Sequence, residues 1–120
     1  MTDKQAIYYE LLVLRCNRGH KDAIEELVGN WERRLFYYIH RLIEDEQEAW
    51  AILQDVWIKV IQNINKIREP GKLPVWLYSV ARKTVVSHLR KKYSRKILYH
   101  EKENSFNIKD CNSQYTFDNA

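Results

Sequence analysis

Apolar residues recur three and four positions apart through most of this 120-residue chain, and four stretches hold the rhythm long enough to form helices. Ile7, Leu11, Leu12 and Leu14 predict a first short helix over about residues 4–17. Asn17-Arg18-Gly19-His20 ends it, with Gly19 placed to take the left-handed conformation beyond a helix C-terminus. A second helix, about 21–43, follows from Ala23, Ile24, Leu27, Val28, Trp31, Leu35, Phe36, Ile39, Leu42 and Ile43. Gly29-Asn30 in its middle is where it could bend or break.

Residues 44–47 read as a turn, with Asp45 as N-cap and Glu48 completing a capping box. The third helix, about 47–65, has the cleanest amphipathic pattern: Ala49, Ile52, Leu53, Val56, Trp57, Val60, Ile61 and Ile64. Its other face carries Asp55, Lys59, Gln62 and, to one side, Gln54. A loop over 66–73 holds Pro70 and Gly71. The fourth helix is predicted over about 74–93, with Pro74 in its first turn and Trp76, Leu77, Val80, Ala81, Val85 and Leu89 as its apolar stripe. No strand pattern competes. The expected fold is all-α, a compact bundle of three to five helices over residues 1–100, followed by an Asn- and Ser-rich linker or disordered tail over 101–120.

Composition adds little until charge is placed along the chain. Only three Gly and two Pro interrupt it, which favours long helices. The net charge of +4 is a mild excess, but its distribution is uneven. Over 42–58 every charge is acidic (Glu44, Asp45, Glu46, Glu48, Asp55), whereas 70–100 contains eight Lys and Arg and no acid. An acidic face and a basic face can hold two different partners, or pair head to tail in a dimer. Within the basic stretch, aromatic and cationic side chains lie close together, the combination that suits unpaired bases and phosphates. This stretch is therefore read as a nucleic-acid-binding helix that the rest of the chain holds and delivers.

Other chemistries find no support in the pattern. Cys16 and Cys111 are far apart with no metal-ligand spacing, consistent with a reduced, cytoplasmic protein. His20, His40, His88 and His100 share no ligand spacing, and there is no Gly-rich phosphate loop. No enzyme, metal or cofactor is expected. There is no run of about 18 apolar residues and no apolar signal core at the N-terminus, so no membrane insertion is expected.

Four blocks in order resemble region 2 of bacterial RNA polymerase sigma factors, most nearly the extracytoplasmic-function (ECF) group. They are Asp22-Ala23-Ile24-Glu25-Glu26-Leu27-Val28, then Leu53-Gln54-Asp55-Val56-Trp57, then Trp76-Leu77-Tyr78-Ser79-Val80-Ala81-Arg82, then His88-Leu89-Arg90. The resemblance covers about residues 19–96. It implies that Gln54 and Asp55, with Ile52, Trp57 and Ile61 adjoining, face the clamp helices of the largest subunit of core RNA polymerase. It implies that the loop over 68–73, with Arg68 and Lys72, embraces a flipped base of the promoter minus-ten element. Trp76, Tyr78, Arg82, Lys83, Arg90 and Lys91 would then line the path of the non-template strand. An anti-sigma factor is a further partner the resemblance implies.

Two departures stand beside this match. The family commonly has an Asp three residues before the Gln; here it is Ala51, and Glu48 could supply the charge. The family's second, helix-turn-helix domain has no counterpart here, so the chain is expected to be either a piece of a longer sigma factor or a stand-alone region 2 that needs a partner. Packing offers a plainer account of several residues. Trp31, Trp50, Trp57 and Trp76 all fall on or beside an apolar stripe, and the basic cluster over 90–96 suits a helix C-terminus. Two other functions stay open at this point: a sigma-like regulatory module that does not direct initiation, and a helix-turn-helix repressor that binds duplex DNA.

Overall fold

The computed structural model describes residues 2–104, with side chains as far as Lys96. The chain forms α1 (Asp3–Asn17), α2 (Lys21–Leu42), α3 (Glu46–Asn63), two 3₁₀ turns (Ile64–Lys66 and Pro70–Lys72) and α4 (Leu73–Asn104). No strand occurs among the described residues, so the all-α expectation holds. Nor is any helix among them long and apolar enough to cross a membrane.

Rows of residues four apart build the core. In α2 the row is Ala23, Leu27, Trp31, Leu35 and Ile39; in α4 it is Leu73, Leu77, Ala81 and Val85. Such rows form ridges that seat in the grooves of a neighbouring helix. From α3 come Ala49, Ile52, Leu53, Val56 and Val60, and from α1 Leu12, Val13 and Cys16. The next member of the α4 row, Leu89, is 37% exposed, and no described side chain beyond Val85 is buried. Past Val85 the helix leaves the core but still meets the first turn of α3 through Lys92 and Glu48. At 32 residues it is about 48 Å long, against a longest molecular dimension of 57 Å.

Several local expectations hold and others are corrected. Gly19 has φ of +78° and closes α1 in a Schellman arrangement, with its N–H on the Cys16 carbonyl and that of His20 on the Arg15 carbonyl. Asp45 caps α3, its carboxylate accepting from the N–H groups of Gln47 and Glu48. The Glu48 side chain reaches α4 instead of closing a capping box, because Lys92 lies 3.4 Å from it. The capping box occurs at α1, where Thr2 and Gln5 exchange both bonds. Gly29-Asn30 does not break α2, since the flanking ridge residues are buried on both sides. The expected loop over 66–73 contains the two tight turns' ends, and α4 starts at Leu73 and runs on past Tyr93. The domain boundary expected at 100/101 falls inside this helix, and the tail from 105 lies outside the described residues.

The first helix faces inward with a different side from the one its pattern suggests. Ile7, Leu11 and Leu14 are exposed, while Leu12, Val13 and Cys16 are buried and Tyr9 packs beside them. Polar contacts between α1 and α2 accompany this orientation. Tyr8 donates its hydroxyl to Glu26 and accepts from Asn30, and Arg15 bridges Asp22 at 2.8 Å and Glu26 at 3.4 Å.

Two predictions follow from this packing. Leu77→Ala should lower the unfolding free energy by about 2–5 kcal/mol in urea titration, because its site is fully enclosed. Ile58→Ala, at a 53% exposed position, should change it by no more than about 0.5 kcal/mol. The hydrogen bond and charge of Arg15 hold the Asp22 carboxyl below its ordinary value. That stability is present above the unfolded-state pKa near 4 and is lost as pH falls through the depressed native value. Asp22→Asn should accordingly flatten the acid limb of the stability–pH curve below about pH 4.

Candidate nucleic-acid and partner interfaces

Two surfaces emerge, one on each side of the α3–α4 contact. The first is a furrow centred on Trp76, which sits half-buried in the first turns of α4. Beside the indole a cleft of about 440 Å³ is lined by Lys66, Arg68, Glu69, Lys72, Val75 and Ser79. A second cleft of about 410 Å³ is lined by Lys59, Asn63, Lys83 and Thr84, with Lys66 and Trp76 common to both. Lys72 is held by Glu69 at 3.0 Å. Lys59 donates to the buried Thr84 hydroxyl at 3.4 Å, and that hydroxyl donates to the Val80 carbonyl at 2.7 Å. The result is a cationic trough with an aromatic plate at its middle. It can bind a phosphodiester strand and stack one unpaired base.

The wall of this furrow is fixed from behind by α1. A Cβ added at Gly71 would lie 3.2 Å from the Ala6 Cβ and 3.3 Å from Glu10 Oε1, so the Pro70–Lys72 turn packs closely on α1.

Helical geometry divides the expected strand path. Residues two apart are about 200° apart around a helix, so Trp76 and Tyr78 flank the buried row on opposite sides. Tyr78 is taken up by α2, edge-on to Trp31 at 5.9 Å and to Tyr38 at 5.3 Å. It is a packing residue, half-buried, and no part of the furrow. Arg82, one turn on, is exposed on the same flank as Tyr78. Lys83 is in the furrow, and half-buried Arg90 follows about 20 Å from Trp76 on its side of the helix, beside exposed Lys91. Lys59, Asn63 and Lys66 were missed from sequence. They recur at helical spacing, but only the antiparallel packing of α3 on α4 sets them beside Trp76.

The second surface is the outer face of α3. Trp50, Gln54, Ile58 and Ile61 fall four, four and three apart on one side, and all are exposed. Trp50, expected in the core, instead stacks on Phe36 at 4.0 Å and extends the face to a groove shared with Arg33 of α2. An exposed apolar row with a polar centre is the composition of a docking face. The candidate set read from sequence changes accordingly. Ile52 is 0% exposed and belongs to the core, so it has no surface to offer a partner. Trp57 is half-buried against the core, and its enclosed indole N–H meets no acceptor among the described residues. Gln54 and Ile61 are accessible. Ile58 was overlooked because it lies off the buried stripe, where a lone apolar residue carries no signal until its neighbours prove exposed.

The acidic and basic stretches do not form independent faces. Asp55 Oδ2 lies 2.9 Å from His88 Nε2, and Glu48 Oε2 lies 3.4 Å from Lys92 Nζ. The pairs 48–92 and 55–88, with 59–84, run in opposite senses along the two helices and make one antiparallel seam.

Comparison with known proteins identifies the family of the chain. A family model described as Sigma-70 region 2 matches residues 27–95. The chain is 33% identical over 78 residues to the RNA polymerase sigma-H factor of Pseudomonas aeruginosa, which covers 65% of this chain and 40% of that protein. It is 25% identical over 80 residues to the ECF RNA polymerase sigma factor SigW of Bacillus subtilis, 67% of this chain and 43% of the relative. It is 26% identical over 72 residues to the RNA polymerase sigma factor YlaC of the same organism, covering 60% and 42%. The chain thus spans about two-fifths of the length of these curated relatives.

The furrow yields a direct test. Trp76→Ala should weaken binding of a single-stranded oligonucleotide by about 1–3 kcal/mol in an anisotropy titration. Tyr78→Ala should instead lower thermal stability and leave oligonucleotide affinity within about twofold.

Proposed function

The chain belongs to the sigma-70 family through its region 2, and on that premise we propose that it directs transcription initiation, docking on core RNA polymerase through α3 and capturing the non-template strand of the promoter minus-ten element along the Trp76 furrow. The observation that carries this reading is the pairing of two unlike surfaces on one rigid pair of helices. One is apolar with a glutamine at its centre; the other is cationic with an indole at its centre.

The docking arm is supported by the α3 row. A coiled-coil clamp presents an elongated ridged surface, and Trp50, Gln54, Ile58 and Ile61 offer a row of matching length with a hydrogen-bonding group in the middle. The DNA arm is supported by the energetics of base capture. Unstacking costs a few kcal/mol per base, and an aromatic plate flanked by Lys66, Arg68, Lys72 and Lys83 can offset it. We infer a cytoplasmic location from these partners. An anti-sigma factor would occupy the exposed α3 face in competition with polymerase.

The two arms separate experimentally. Ile58→Asp should reduce pull-down of core polymerase at least about 30-fold, the scale of a docking hot spot, while leaving oligonucleotide binding intact. Trp76→Ala should do the reverse. A preference for symmetric duplex half-sites over the single non-template strand would contradict the reading and favour a helix-turn-helix repressor.

A further inference from the structure

The first helix, α1, lies ahead of the residues 27–95 that the family match covers, and the two proposed surfaces give it no part. It packs on α2 and on the Pro70–Lys72 turn at once. Residues two apart are about 200° apart around a helix, so Ala6 and Glu10 look one way and Tyr8, between them, looks the other. Ala6 and Glu10 pack on the turn at Gly71, and they share a cleft of about 780 Å³ with Arg68, Glu69, Lys72 and Val75. Tyr8 and, two turns on, Arg15 reach α2. The Tyr8 hydroxyl donates to Glu26 and accepts from Asn30 at 3.0 Å, and Arg15 holds Asp22 at 2.8 Å and Glu26 at 3.4 Å. Arg68, Glu69, Lys72 and Val75 also line the cleft beside Trp76. The segment from Arg68 to Lys72 is therefore a thin wall, with the indole on one side and α1 on the other.

We propose that Tyr8 and Arg15 are positioning residues for base capture: their clasp on α2 seats α1 behind the Arg68–Lys72 wall and so sets how far that wall stands from Trp76. This inference rests on the DNA-binding function proposed above and adds the residues that hold its site in place. Neither side chain lines the furrow, so each acts through α1. The two parts of strand binding respond differently to a displaced wall. Attraction between a phosphate and Lys59, Lys66 or Lys83 is long-ranged, with a Debye length of about 8 Å at physiological ionic strength, and it tolerates a small shift. Packing of a base between the indole and the wall does not, because a gap of about 1 Å forfeits up to about half of each contact. Loosening α1 should therefore cost the contribution of the bases and spare that of the phosphates.

The test uses the full 120-residue chain, a labelled non-template oligonucleotide spanning the minus-ten element, and the same oligonucleotide with abasic sites at those positions. The ratio of the two affinities isolates the contribution of the bases. The double variant Tyr8→Phe, Arg15→Gln removes the clasp while keeping side-chain bulk. Measured well below its thermal midpoint, it should lower the ratio by about 2- to 30-fold, the range of coupling exerted through positions that touch neither ligand. In a Trp76→Ala background the same two substitutions should leave the ratio unchanged, because the plate they serve is gone. A purely structural loss would instead lower both affinities together and leave the ratio as it is in wild type. An unchanged ratio in the double variant, with wild type still favouring the intact strand, would overturn the positioning role alone. A further fall in the Trp76→Ala background would overturn it too, since the effect would then lie outside the furrow. A wild-type ratio near one would overturn the DNA-binding reading, and the inference with it.

Discussion

Everything this fold offers a partner depends on how α4 is clamped. Leu73, Leu77, Ala81 and Val85 form a single row, all buried, that locks the first half of the helix against α2 and α3. A row at four-residue spacing drifts by about 40° per step, so it can hold a neighbouring helix for only a few turns before rotating away. Here it does so for the length of the bundle and then stops at Leu89. The clamped half carries Trp76, which has to be held still to stack a base. The later half carries Arg90 and Lys91, which in the proposed role need only follow a flexible polyanion. Precision and reach are thus assigned to different turns of one helix.

The same clamp gives α3 its two roles. Its inner side, Ile52, Leu53, Val56 and Val60, is consumed in holding α4 and α2. Its outer side is left with an exposed apolar row, and the shoulder between them carries the acids that meet α4. A rigid helix that is core on one side and interface on the other transmits position without needing to bend. Polymerase docked on α3 would therefore present the Trp76 furrow at a fixed height and angle relative to the DNA.

Much of this was legible in the residues alone. The α2 and α3 stripes, the Gly19 terminus and the Asp45 cap each rest on short-range rules, and the structure agrees with them. The basic character of α4 was visible from the absence of acids over 70–100. What sequence could not supply was which of two apolar sides turns inward. In α1 the stripe of Ile7, Leu11 and Leu14 stays outside, and Tyr8 and Arg15 tie the helix to Glu26, Asn30 and Asp22 from another side. Trp50 and Ile61 fell on or beside the apolar stripe and are exposed, whereas Ile52, also on the stripe but placed by the resemblance beside the partner face, is enclosed. Such errors of one helical position arise because a stripe about 100° wide borders residues that periodicity alone cannot assign. Contacts between distant segments were equally hidden. Nothing local in Asp55 or Glu48 announces His88 and Lys92 as partners, and nothing in Lys59 or Lys66 announces Trp76.

The central claim is that the furrow around Trp76, and not the Tyr78 flank of the same helix, receives a promoter strand. The most direct measurement is site-resolved crosslinking. A non-template strand carrying a photoreactive base at successive minus-ten positions would be bound to the chain with core polymerase, and the attachment sites read by mass spectrometry. The account predicts attachment at Trp76 and at residues of the adjoining turns, between Lys66 and Lys72, confined to one or two neighbouring bases. Attachment centred on Tyr38, Tyr78 and the outer side of α2 would contradict it.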